Sequence, residues 1–60
     1  MLKVGDKIRI LYMKGEPQYT NAEGVVERIQ KDPLDGVCYR GTWGGCSLYP
    51  KTDRYEIINT

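Results

Sequence analysis

The sequence predicts an all-β fold, a small five-stranded barrel in one domain over residues 1–60. Three observations carry that expectation. Apolar residues alternate with polar ones instead of recurring at three and four, which is the period of strands and not of helices. Gly, Pro, Asn and Asp break the chain at short, regular intervals. The chain has only 60 residues. At that length it buries roughly 60% of the surface its unfolded form exposes, so a closed or nearly closed sheet is an economical core.

Each element follows from its residues. Gly5-Asp6 is a turn signal before the first strand, residues 7–13. There Ile8, Ile10 and Tyr12 share one face while Arg9, Leu11 and Met13 take the other. Residues 14–22 are polar and carry Gly15, Pro17 and Asn21, which makes a loop long for a hairpin connection. Residues 23–30 form the second strand. Its phase is uneven, and a β-bulge at Glu27-Arg28 brings Val26 and Ile29 to the same side. Pro33 and Asp35-Gly36 break the chain next. The third strand covers 37–43, with Val37, Tyr39, Gly41 and Trp43 on one face. Gly44-Gly45 reads as a two-residue hairpin turn that sets Trp43 opposite Cys46 and Arg40 opposite Tyr49. The fourth strand runs over 46–49, a tight turn fills 50–53, and the fifth strand covers 54–58. The order is that of an SH3-like barrel. Its expected core is Ile8, Ile10, Val26, Ile29, Tyr39, Trp43, Leu48, Tyr55 and Ile57. In the expected register Cys38 and Cys46 sit far apart on opposite faces, so both are expected as free thiols.

Composition narrows the function. Nine Lys and Arg against eight Asp and Glu give a net charge of +1, with the two signs interleaved along the chain. That excludes a strongly basic nucleic-acid arm and an acidic mimic. No signal-peptide pattern and no apolar run long enough for a bilayer occur in the sequence, so the expected location is cytoplasmic, without a membrane partner. The absence of His removes the usual general base and the commonest metal ligand. Cys38, Cys46 and Ser47 have no imidazole to activate them. Two Cys without CxxC spacing make no zinc site. No enzyme, metal or cofactor is therefore expected.

Aromatic and Arg residues remain as carriers of function. With no Phe in the chain, Tyr and Trp must fill the core, and Trp43, Tyr39 and Tyr55 are expected there. Tyr19 on the long loop, and Tyr49 beside Arg40 on the outer hairpin face, are the candidate binding residues, because Tyr and Arg are enriched at contact surfaces. Arg9, Arg28 and Arg40 are the residues from which a basic stripe would be built.

Two stretches carry resemblances. Gly5-Asp6-Lys7-Ile8-Arg9-Ile10 followed by Glu23-Gly24-Val25-Val26-Glu27-Arg28-Ile29 resembles the opening of KOW-type barrels of ribosomal and transcription proteins. The loop between them is longer here and poor in Lys and Arg. The whole chain is similar to a family of short bacterial proteins, frequent also in phages and mobile elements, classed as a domain of unknown function. The residues are Ile8-Arg9-Ile10-Leu11-Tyr12-Met13, Glu23-Gly24, Gly41-Thr42-Trp43-Gly44-Gly45, Leu48-Tyr49-Pro50 and Asp53-Arg54-Tyr55-Glu56-Ile57-Ile58. That resemblance implies the barrel and the genetic setting, and transfers no active site. The expected function is a non-catalytic module that binds a protein partner. The alternative is a KOW-like module that binds nucleic acid.

Overall fold

The computed structural model describes residues 2–34 and 36–58. Four antiparallel strands form one curled half-barrel: β1 Lys7–Tyr12, β2 Glu23–Asp32, β3 Gly36–Gly41 and β4 Arg54–Ile57, in the spatial order β3-β2-β1-β4. No α-helix occurs among the described residues, and residues 23–32 lie in strand. A single 3₁₀ turn, Pro17–Tyr19, sits in the long loop. No helix there is long and apolar enough to cross a membrane.

The expected fourth strand is not formed. Residues 46–49 contribute one bridge, in which Tyr39 and Leu48 exchange backbone hydrogen bonds of 2.9 and 2.8 Å. The third strand ends at Gly41, two residues early. Trp43 explains both corrections. Its indole folds back over Gly41 and donates from Nε1 to the Cys46 carbonyl at 2.8 Å. Residues 42–46 thus wrap the indole, where a two-residue turn would have carried the ladder on. Leu48 lies opposite Tyr39 instead of Gly41. The shift is two residues, so Leu48 and its neighbours Ser47 and Tyr49 keep their expected faces relative to β3.

Two bulges bend the sheet. Between Val26 and Arg28 the β2–β3 register shifts by one, as the uneven phase of the sequence requires. Ile29 then stands opposite Tyr39, on the core side. It is nevertheless 43% exposed, because the β2–β3 ribbon runs on past the core. The second bulge lies between Ile10 and Tyr12 in the β1–β4 pairing. It inverts the phase of the strand end: Tyr12 turns out, 52% exposed, and Met13 turns in. Ile57, at the last residue of β4, is 48% exposed and also leaves the expected core. Tyr55 is half-buried against it.

The core is Leu2, Ile8, Ile10, Met13, Val26, Tyr39, Trp43 and Leu48. Leu2 enters it because the chain before β1 is fastened to β2. Gly5 N–H donates to the Val26 carbonyl and Val26 N–H to the Asp6 carbonyl, at 2.8 and 2.9 Å. Gly5 turns there at φ 98°, and the buried Asp6 carboxylate accepts from Lys3 N–H at 3.0 Å. Of the Asp35-Gly36 breaker, Asp35 lies outside the described residues and Gly36 takes φ 78°. Cys38 and Cys46 are free.

Gly41 has a specific task. A Cβ placed on it would overlap the Trp43 ring at Cζ3 and the Val25 carbonyl oxygen. One of those obstacles is backbone and cannot swing aside. Gly41→Ala is therefore expected to cost about 1–3 kcal/mol through overpacking. A urea midpoint equal to that of wild type would show that the indole does not rest on Gly41.

Candidate binding surface

Arg40 lies near the end of β3, directly opposite Arg28 on β2. Its guanidinium donates to Ser47 Oγ and to the Gly45 carbonyl, both at 3.4 Å. A groove lies on each side of it. The first, of about 470 Å³, is lined by Glu27, Arg28, Gln30, Arg40 and Gly41. The second, of about 370 Å³, runs from Arg40 past Ser47 and Cys46 to Tyr49, Thr52 and Met13. Arg40 is the residue common to both grooves.

The second groove is held open by a buried carboxylate. Asp53 accepts from Lys14 N–H at 3.0 Å, from Tyr49 N–H at 2.9 Å and from Thr52 Oγ at 3.1 Å. The Tyr49 carbonyl in turn accepts from Thr52 N–H and Asp53 N–H at 3.0 and 2.8 Å. The turn expected over residues 50–53 is thus tied to the exit of β1. That tie fixes where Tyr49 stands beside the groove.

Of the three expected binding residues, Arg40 and Tyr49 meet on this groove and Tyr19 does not line it. Tyr19 is half-buried against the core, its ring over Gly44, where a Cβ would collide with it. Gly44 has φ 152°, which suits glycine. The Tyr19 ring and hydroxyl lie against Gly44, two residues before Cys46, which lines the groove, so Tyr19 backs the wall. Sequence reasoning did not single out Glu16, Ser47 or Gln30, whose positions depend on the loop path and the register.

Glu16 gives this wall its chemistry. Cys46 Sγ–H donates to Glu16 Oε1 at 3.1 Å. The carboxylate beside it raises the thiol pKa above its ordinary value, and the Tyr19 hydroxyl works against that rise. The neighbouring Cys46 thiol raises the Tyr19 pKa as well. Groups whose pKa is raised on folding stabilise the fold fully below their ordinary pKa and lose that contribution as pH rises through the raised value. The cluster therefore weakens on the alkaline side. It also predicts slow alkylation: at pH 8 Cys46 should react with iodoacetamide more slowly than an ordinary exposed thiol. Glu16→Gln should speed that reaction, read by mass spectrometry of the Cys46 peptide. An unchanged rate in the variant would mean that Glu16 does not hold the proton on Cys46.

The basic stripe does not form as one unit. Arg9 stands between Glu23 on β2 and Glu56 on β4, with ion pairs of 2.9 and 2.7 Å. Those carboxylates, Glu23 first, raise the Arg9 pKa and neutralise it locally. Arg28 and Arg40 have no such carboxylate among the described residues. No group of three or more metal-ligating side chains occurs among the described residues either. No family model, no curated protein and no solved structure matches the chain.

Proposed function

We propose that this domain is a non-catalytic binding module of SH3-like architecture that takes a protein partner on the surface either side of Arg40. The observation that carries the reading is the position of Arg40, between two grooves and with only neutral oxygens as partners. A guanidinium so placed keeps its charge and most of its donors for a ligand. Tyr49 adds a half-buried ring with a polar tip at the far end of the second groove, a side chain suited to contact surfaces. The net charge of +1 and the neutralised Arg9 favour a protein partner over nucleic acid. The resemblance to short bacterial, phage and mobile-element proteins supplies the setting, inside a cell.

The test is capture from a nuclease-treated lysate of the source cells on immobilised wild type, Arg40→Ala and Tyr49→Ala. The reading expects a protein retained by wild type and lost by both variants, with both variants still folded by circular dichroism. Equal retention on all three would overturn it. Retention of nucleic acid from an untreated lysate, released steeply as salt rises, would replace it with the KOW-like reading.

A further inference from the structure

The β2–β3 ribbon breaks a rule of sheet pairing at one place. Arg28 and Arg40 are register partners, so they share a face and a groove. Directly opposite residues hold their Cβ atoms about 4.5–5.5 Å apart, and like charges there destabilise the sheet. The bulge at Glu27 creates this pairing. In the register of the Val26 and Gly41 pair, a ladder without the bulge would set Glu27, an acid, and not Arg28 against Arg40. Among the described residues neither guanidinium has an ion-pair partner, although Glu27 lines the same groove. Elsewhere the same sheet pairs its charges with care. Arg9 has an acid directly opposite on each neighbouring strand. A local rule broken where the rest of the sheet obeys it marks a functional position.

Resting on the reading of the domain as a protein-binding module, we infer that the Arg28–Arg40 pair binds a carboxylate of an acidic segment of the partner. Two arginines at paired positions on one groove can both turn forked donors to one carboxylate, and the bound anion removes their mutual repulsion. Gln30, on the same groove, adds an amide that can donate to the peptide backbone. Glu27 at the groove and the low net charge disfavour a long polyanion such as a phosphate backbone, while leaving room for one or two carboxylates.

The experiment is a titration of ¹⁵N-labelled protein with a capped tetra-glutamate peptide, a capped tetra-glutamine peptide and a thymidine decanucleotide. The glutamate peptide should saturate, with its largest shifts at the amides of Arg28, Gln30, Arg40 and Gly41. Arg28→Gln and Arg40→Gln should each weaken it about tenfold, as expected for loss of a charged hydrogen bond. Both variants should melt at or above the wild-type temperature, because each removes the like-charge pair. Equal binding of the glutamine peptide, shifts elsewhere, or tighter saturation of these amides by the oligonucleotide would each overturn the inference. Lysate capture separates its failure from that of the module itself. A protein lost with Tyr49→Ala but fully retained by Arg28→Gln leaves the module and removes the carboxylate site. No protein retained by wild type removes both.

Discussion

Trp43→Ala should leave a substantial fraction of the protein unfolded at 25 °C. The indole is 7% exposed in a core of eight residues, and it is the largest side chain there. Truncating a buried Trp costs about 3–5 kcal/mol. A chain of this length holds about 3–9 kcal/mol in total, at roughly 0.05–0.15 kcal/mol per residue. The substitution also removes the Nε1 donor to Cys46, which shapes the loop from Thr42 onward. Thr42 itself closes on β2, donating N–H to the Val25 carbonyl at 3.1 Å and accepting Val25 N–H on Oγ at 2.9 Å. The ring therefore fixes the path by which the chain returns to Leu48. Urea denaturation followed by circular dichroism measures the effect. A midpoint equal to that of wild type would mean that the indole contributes nothing to the core.

Asp53→Ala should destabilise nearly as much by another route. Its carboxylate is 4% exposed and accepts from two backbone N–H groups, of Lys14 and Tyr49. Alanine leaves both without that partner. Each orphaned buried donor costs about 1–3 kcal/mol, so the pair costs about 2–6 kcal/mol. Asp53→Asn keeps one acceptor oxygen and should fall between alanine and wild type. Thermal melts of the three proteins give the order. If alanine melts with wild type, water replaces the carboxylate at no cost, and the staple between β1 and the 49–53 turn is not structural. Because that staple also places Tyr49, the alanine variant should lose partner binding together with stability.

The sequence made some of this legible and hid the rest for physical reasons. Ile8 and Ile10 obeyed period two, and both are fully buried. The same count failed at Tyr12 and Met13, since the bulge before Tyr12 depends on how β1 pairs with β4. A strand's own residues do not encode its partner's register. The bulge in β2 was readable because Val26 and Ile29 are out of phase within one strand. Whether Ile29 is covered depends on what packs above it, which no local pattern carries. Gly41 beside Trp43 was a readable pair, a missing side chain next to the largest one.

The binding surface divides in the same way. Arg40 and Tyr49 were identifiable as residue types on an outer face, and the even shift of the register kept them there. The neutralisation of Arg9 and the opposition of Arg28 to Arg40 appear only once all four strands are in register. The place of Tyr19 on the long loop is legible from the Gly15, Pro17 and Asn21 around it. Its ring is instead drawn onto Gly44, because residues 42–46 curl round Trp43 and bring that glycine beneath it.

The separation of a binding surface at Arg40 from a core at Trp43 is most directly tested by one binding isotherm. The captured partner protein is titrated into wild type and Arg40→Gln at matched ionic strength. Arg40 touches both grooves and carries none of the core, so the variant should keep its fold and bind at least about tenfold more weakly. An unchanged Kd for a folded Arg40→Gln would contradict the account, because the one residue shared by the two grooves would then have no part in recognition.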